Sequence, residues 1–253
     1  MSSLTLTPAS SPQGLYQQSA TQMLPLGTTL TLGDGREFVY AKNGSVTGVA
    51  GNIYQSPSLD LAGPYGAITN HLNCSVVAAA IGDKYVDVIL GATAVTENYY
   101  AEGQLQVVDG TGEGVSYKVT SHAAAASSGT VRVYLAEPVI EALVASGTSE
   151  VSLIPNMFKD VIIHQAPPTA PLVGVAIRDF TAAYFGWFQT KGLCAVLTTG
   201  TVVAGNLVIA SITVDGSVDP VSTTYAVTAY PVGRVHTVRG TGGEYGTIDL
   251  NIV

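Results

Sequence analysis

Apolar, β-branched and aromatic residues occur in short runs along this chain, and Gly, Asn, Asp and Pro separate the runs at close intervals. Residues 171–214 show the pattern most clearly. An apolar run at 173–176 is followed by an aromatic cluster at 184–189 and then by β-branched runs that glycines interrupt. Runs of this length and composition are typical of β-strands. The sequence therefore predicts an all-β protein, built from small β-barrel or sandwich units with short Gly-rich hairpins.

Further strands are predicted on both sides of this stretch. The Asp34-Gly35 pair lies between β-rich runs at 28–32 and 36–41, and such a pair is a strong hairpin signal. The other predicted strands cover residues 74–81, 85–90, 104–108, 115–121, 130–135, 151–154, 160–164, 223–230, 234–239 and 245–252.

At most one short helix is predicted, at residues 137–146 (EPVIEALVAS). Pro138 suits the first turn of a helix, Glu137 suits the positive end of the helix dipole, and several apolar residues fall on one face. With about two turns, such a helix can only be a plug or a connector.

The chain is predicted to have an arm and two β-domains. Residues 1–26 are polar, contain three prolines and lack an apolar period, which predicts an extended arm that is ordered only on another surface. We expect deletion of the arm to leave folding intact and to weaken assembly. The proline-rich break at 166–168 would separate a β-domain at 27–165 from a barrel-like domain at 166–253. The hairpin at 28–41 is free to pack with the second domain.

The chain is poor in charge. Charged residues make up 11% of the sequence, against roughly 25% in an average soluble domain. The net charge of -8 and the scattered Lys and Arg residues argue against nucleic-acid binding. A weakly charged, apolar surface indicates contact with further copies or with a partner. The alternative is an ordinary soluble β-protein rich in Thr and Ser.

The sequence predicts neither export nor membrane insertion. The N-terminus lacks the basic and apolar regions of a signal peptide. Residues 192–214 carry no charge and are numerous enough to cross a bilayer, but their Thr, Ser, Asn and Gly residues favour a strand hairpin. Cys74 and Cys194 are predicted to be buried free thiols rather than a disulfide framework.

Three segments have features of ligand-binding loops, but each is better explained as an ordinary turn. The Gly-rich segments 110–114 and 240–246 are followed by strands and carry a Glu, whereas a phosphate loop needs a helix N-terminus. The segment 215–219 has oxygen-bearing residues that suit Ca²⁺ but lacks the full loop pattern with its closing Glu. We therefore predict neither a cofactor nor a metal.

No catalytic residue is predicted. The four histidines lack zinc-binding spacing, the chain has no GxSxG motif, and Cys194 lies in an apolar run that disfavours its thiolate. The histidines are His71, His122, His164 and His236. We expect a protein that is not an enzyme and has no small-molecule substrate.

The aromatic cluster supplies the predicted interface residues. In a strand, Tyr184 and Phe188 point to one face and Trp187 to the other, so that one face enters the core and the other meets a neighbouring protein. We select these three residues, together with Leu15 and Tyr16 of the arm, as interface candidates. A platform on which a sugar or a base stacks is the alternative.

Several segments carry a family resemblance. The run Val173-Gly174-Val175-Ala176, the segment YFGWFQTKG at 184–192 and the return VAGNLV at 203–208 resemble the barrel segment of tailed-bacteriophage capsid cement (head decoration) proteins. The segment LGDGREFVYAK at 32–42 is similar to one that is common in virion structural proteins, and so is the region 100–114.

The resemblance implies a non-enzymatic virion protein on the outer capsid surface, made in the host cytoplasm, that stabilises the head. Its partners would be the major capsid protein and further copies of itself in a homotrimer, with no nucleic acid and no membrane. Simple cement proteins are smaller, so residues 60–165 would be an added β-domain. Another virion component such as a tail or spike protein, or a carbohydrate-binding β-module that uses Trp187, are the alternative functions.

Overall fold

The computed structural model describes residues 5–7, 10–57, 71–145, 148–221, 230–238 and 243–252. These residues form seventeen β-strands and no α-helix, so the predicted all-β fold is confirmed. Residues 223–229 of one predicted strand and residues 240–242 of the Gly-rich turn lie outside the described residues.

The chain divides into two compact units, and one is inserted into the other. The discontinuous unit comprises Met1–Pro57 and Met157–Val253, and the inserted unit comprises Ser58–Asn156. This division differs from the predicted boundaries at 26 and 165 and lies close to the added domain expected at 60–165. The difference arises because residues on both sides of the insertion pair within the same sheet.

The discontinuous unit contains one sheet of eleven strands. Its strands are β1 (Thr5–Leu6), β2 (Thr29–Thr31), β3 (Glu37–Lys42), β4 (Ile53–Gln55), β11 (Ile162–Ile163), β12 (Leu172–Ala176), β13 (Phe185–Leu197), β14 (Leu207–Ala210), β15 (Val218–Pro220), β16 (Pro231–Thr237) and β17 (Tyr245–Asn251). The main path runs β1-β2-β3-β13-β17-β16-β14-β15, and β12, β4 and β11 extend from β13 as a branch.

The thirteen-residue strand β13 joins the two halves of this sheet. Its first half pairs with β3 and β12, and its second half pairs with β17. A register shift between Gln189 and Lys191 separates the halves. Beyond the second half, Thr198 forms an isolated parallel bridge with Val218 of β15, so that the two ends of the path β13-β17-β16-β14-β15 meet.

Both faces of the first half of β13 are buried. Trp187 packs in a cluster with Phe38, Tyr40 and Leu24, and its ring meets that of Tyr40 at a centroid distance of 5.2 Å. On the opposite face, Phe188 packs in a second cluster. The aromatic run therefore builds two layers of core rather than one.

Residues 10–26 contact the Trp187 face of their own unit, and this face is a surface on which the predicted arm can be ordered. The amide of Gln13 is buried at the centre of this contact. Trp187 Nε1 donates to the Gln13 carbonyl over 3.2 Å, Tyr40 Oη donates to Gln13 Oε1 over 2.9 Å, and Gln13 Nε2 donates to the Phe185 carbonyl over 3.1 Å. Ser19 forms a β-bridge with Phe185. This part of the segment belongs to the core of its own unit.

The inserted unit is a nearly closed six-stranded barrel. Its strands are β5 (Cys74–Ser75), β6 (Tyr85–Ile89), β7 (Gln104–Asp109), β8 (Ser116–His122), β9 (Thr130–Leu135) and β10 (Glu150–Ile154), in the order β5-β10-β7-β8-β9-β6. A bridge between Val76 and Val88 joins the two end strands. Buried and exposed residues alternate along β9, as expected for a wall with one face towards the core.

The helix predicted at 137–146 does not form in its described part, residues 137–145. Leu143 instead forms an antiparallel bridge with Ala79, and Val139 exchanges backbone hydrogen bonds with the turn at Gly82 and Asp83. Val139 and Leu143 are buried and Ile140 is exposed, so the apolar spacing that suggested a helix serves an extended segment instead. Its backbone is satisfied by another segment rather than by its own preceding turn.

We predict that Gly110→Ala destabilises the inserted unit far more than Gly114→Ala. Both glycines have positive φ, at 74° and 86°, which costs an alanine about 1–2 kcal/mol. A Cβ on Gly110 would lie 1.3 Å from the Thr148 carbonyl oxygen, whereas one on Gly114 meets nothing within 4 Å. We expect a loss above about 4 kcal/mol for Gly110→Ala in urea unfolding. Equal losses for the two variants would contradict the close backbone approach.

We also predict that the Gln13→Ala variant loses about 1–3 kcal/mol of unfolding free energy, because it removes the buried acceptor of the Tyr40 hydroxyl and one of the two donors to the Phe185 carbonyl. Gln18→Ala is the matched control, since the Gln18 amide bonds Thr181 at an exposed site. Urea unfolding followed by Trp187 fluorescence measures both. A neutral Gln13→Ala variant would show that residues 10–26 are dispensable for the fold.

Candidate functional site: an apolar groove beside β13

A groove of about 490 Å³ lies in the discontinuous unit, beside the second half of β13. Four large apolar side chains at the groove are exposed to solvent: Tyr16 by 59%, Leu193 by 47%, Tyr245 by 46% and Val49 by 41%. They come from four separate segments of the chain. Exposed apolar residues that converge in this way are typical of binding surfaces rather than of scattered surface positions.

Local contacts fix the walls of the groove. Arg178 Nη1 donates to the Tyr16 carbonyl over 2.6 Å and holds the loop that carries this tyrosine. The Tyr245 ring lies against Gly51, where an added Cβ would come within 2.4 Å of a ring carbon. Gly51 also has φ of 76°. Only glycine at position 51 therefore admits both this backbone conformation and the tyrosine ring.

The charged groups at the groove already have partners. Arg36 Nε donates to Asp34 Oδ2 over 2.8 Å, and Asp179 Oδ1 accepts a hydrogen bond from the Ala50 backbone amide over 2.8 Å. The Arg36 backbone amide, and after it the guanidinium, lower the pKa of the Asp34 carboxyl. The groove therefore presents apolar rings and paired charges rather than a cluster of reactive groups.

The predicted interface residues separate into buried and exposed groups. Trp187 and Phe188 are fully buried, so their selection as surface residues is wrong: the chain itself covers both faces of the strand. Leu15 is partly buried against the Trp187 cluster, and Tyr184 is half-buried. Only Tyr16 is both exposed and at the groove.

Sequence reasoning missed Val49, Leu193 and Tyr245. Each lies in an ordinary run or turn, and no spacing links them. The one available signal was local: Tyr245 follows a Gly-rich turn, and Leu193 follows Gly192 in a stretch without charge. Their proximity arises from long-range pairing.

The buried histidines are held by hydrogen bonds within the fold. His164 Nδ1 accepts from the Gly216 amide over 2.7 Å, and its Nε2 donates to the Ser211 carbonyl over 3.1 Å. His122 Nε2 accepts from the Tyr100 amide over 3.0 Å. His71 bonds the Tyr100 hydroxyl and the Thr93 carbonyl. Both ring nitrogens of His164 are thus committed to backbone groups, which leaves neither to act as a base.

The segment 215–219 consists of a turn at Asp215 and Gly216 and the start of β15. The Asp219 carboxylate accepts hydrogen bonds from the hydroxyls of Thr199 and Ser211 and from the Ile212 amide. Asp215 Oδ1 accepts from the Ala166 amide over 2.8 Å. The part of the chain that the structure describes contains no group of three or more His, Cys, Asp or Glu residues placed to hold a metal ion.

Both cysteines are free thiols. Cys74 is buried and Cys194 is partly buried beside the groove. Burial raises the pKa of both, that of Cys194 to about 12. Each thiol is therefore protonated at neutral pH, which disfavours nucleophilic chemistry.

The charge-free stretch at 192–214 contains the end of β13 and the whole of β14. Among the described residues, no helix has the length and apolar character needed to cross a membrane.

We predict that acid destabilises the discontinuous unit through His164. Burial lowers the pKa of His164 below 6.5. As pH falls below 6.5, His164 is therefore protonated in the unfolded chain before it is protonated in the folded chain. Stability is complete above this pH and falls below it by at most about 1.4 kcal/mol per pH unit. Urea unfolding at pH 7.5 and 5.5 measures the slope. His164→Gln should be less stable but less pH-dependent, whereas the exposed His236→Gln control should retain the slope. An unchanged slope in His164→Gln would refute this assignment.

Comparison with known proteins adds no relative to this description. No family model matches the chain, and no curated protein or solved structure matches it. The functional argument therefore rests on the residues and contacts described above.

Proposed function

We propose that this chain is a non-enzymatic structural protein of a tailed-phage virion. It binds the outer surface of the capsid lattice and stabilises the head. Its partners are the major capsid protein and further copies of itself, with which it forms a homotrimer. The observation that carries the proposal is the exposed apolar rim of the groove on a chain with 11% charged residues.

The rim supports a protein partner on energetic grounds. Burial of apolar surface stabilises a complex by roughly 25 cal/mol per Å². Arg36 is paired with Asp34 within the chain, so a partner can cover the apolar rim without leaving this guanidinium unpaired. Tyr16 and Tyr245 also belong to a residue type that is enriched among the energetic centres of interfaces.

Three of the five segments that carry the family resemblance are neighbours in the sheet of the discontinuous unit. The run at 173–176 lies in β12, the aromatic segment forms the first half of β13, and the segment at 32–42 contains β3. β12 and β3 both pair with β13. Two neighbouring motifs and one that is distant in sequence thus form one continuous patch of sheet, which supports a shared structural core.

A repeating lattice suits a modest contact of this kind. A groove of about 490 Å³ offers a small area for each copy. Copies linked to one another gain from effective concentration, so that a homotrimer can bind the lattice much more tightly than one copy alone. A weak single contact is therefore compatible with stable decoration.

A carbohydrate-binding module is the second candidate. The sequence-based hypothesis of a carbohydrate-binding module used Trp187, but this residue is buried and cannot stack on a sugar. The exposed rings of Tyr16 and Tyr245 at the groove offer another stacking surface. Glycan-array binding that disappears in Tyr16→Ala would favour this candidate over capsid binding.

We predict that purified particles of the encoding phage contain this chain at near-stoichiometric amounts relative to the major capsid protein. Quantitative peptide mass spectrometry of purified heads and tails measures the ratio. Purified protein added to heads that lack it should bind saturably and raise the temperature at which they release DNA. A finding of only a few copies per particle, confined to tails, would favour a tail or spike protein over a decoration protein. Absence from particles would reject both.

A further inference from the structure

One edge of β13 is open beside the groove. Residues Lys191 to Leu197 pair with β17 along one edge of the strand. On the other edge, pairing with β3 ends at Lys191, opposite Glu37, and the next backbone contact is Leu197 N donating to the Gly51 carbonyl over 2.9 Å. Among the described residues, no strand pairs with this edge between Lys191 and Leu197.

The direction of the free backbone groups follows from the hydrogen bonds at the two ends. Ile252 N donates to the Thr190 carbonyl, on the β17 side, and Leu197 N donates to Gly51, on the other side. Because backbone groups alternate in direction along an antiparallel strand, those of Leu193 and Ala195 face away from β17. They therefore point to the open edge.

The side chain of Gln189 partly fills the position of a missing strand. Its Nε2 donates to the carbonyls of Lys191 and Leu193, each over 3.0 Å. The Ala195 carbonyl has a 3.5 Å contact with Cys194 Sγ. The Gly51 backbone also lies close to the Ala195 carbonyl. The amides of Leu193 and Ala195 thus remain available at strand spacing for a ligand that brings backbone carbonyl acceptors.

The break in the sheet is built into the chain at Gly192. This residue has φ of 81° and follows the register shift at Gln189 and Lys191. A Cβ at position 192 would lie 3.0 Å from Arg36 Cγ. The hairpin that carries β3 passes close to the glycine and leaves the edge beyond it uncovered. Bulges commonly end strand pairing in this way and turn an edge into a binding feature.

We propose that this groove receives an extended segment of the capsid protein, which adds to β13 as an extra strand opposite Leu193 and Ala195. This inference rests on the proposed function and specifies the contact through which the capsid protein is bound. Added strands are bound by main-chain hydrogen bonds, and pockets for alternate side chains give specificity. Tyr16, Val49 and Tyr245 provide apolar walls for those side chains.

The occupant is defined by this chemistry. An extended polypeptide is the ligand whose donors and acceptors alternate at the spacing of a strand edge. The free edge accommodates about three residues, or roughly 10 Å of strand. Arg36 is paired with Asp34, whereas Asp179 is an exposed carboxylate that accepts only the Ala50 amide, so we infer a segment without acidic residues and with apolar residues at alternate positions.

Two substitutions test the edge against a matched control. Leu193→Asp places a charge in the groove, and Ala195→Pro removes an amide that does not bond β17, a replacement that edge positions tolerate. Val203→Asp is the control, since Val203 is 52% exposed in the same unit and outside the groove. We expect the first two to weaken binding to purified heads roughly tenfold or more and Val203→Asp to bind like the wild type.

Hydrogen exchange on the wild-type protein provides a test that needs no substitution. The amides of Leu193 and Ala195 should exchange rapidly in the free protein and be protected roughly tenfold or more when it is bound to heads.

The outcomes separate the two proposals. Wild-type protein that binds heads while Leu193→Asp and Ala195→Pro bind equally well, with both amides still exchanging rapidly, overturns strand addition and leaves decoration intact. Wild-type protein that does not bind heads at all overturns the proposed function and this inference together.

Discussion

The discontinuous unit depends on the pairing of β13 with partners from both ends of the chain. Its first half pairs with β3 and β12, and its second half pairs with β17. The same strand carries Trp187 and Phe188 into two separate core clusters. The core of this unit therefore depends on the position of the β13 backbone. The groove is a local consequence, because it lies where the pairing changes from one set of partners to the other.

Strand positions were predictable because they are encoded locally. The run at 130–135 coincides with β9, and the runs flanking the Asp34-Gly35 turn correspond to β2 and β3. Pairing across the insertion was not predictable, since no local pattern at 28–41 identifies β13 as its partner. The helix prediction at 137–146 failed for a related reason. Apolar residues four apart fit a helix, but hydrogen bonds to residues 79–83 satisfied the backbone more effectively.

The candidate site was less predictable than the fold. Among the interface candidates, Tyr16 is exposed and stays a prediction, whereas Trp187 was selected for its chemistry and proved to be buried. The polar composition of residues 10–26 concealed their role, because Gln13 contributes through buried hydrogen bonds rather than through apolar surface. An amide side chain can thus complete an aromatic core. Composition alone does not distinguish this function from that of a solvated tail.

The insertion has a consequence for the order of events during synthesis. Every strand of the inserted barrel lies within residues 58–156, so this barrel can form as soon as those residues leave the ribosome. The discontinuous unit must wait for β13, because β3 has its principal partner there. The inserted barrel can therefore be complete before β13 is available to the sheet of the discontinuous unit.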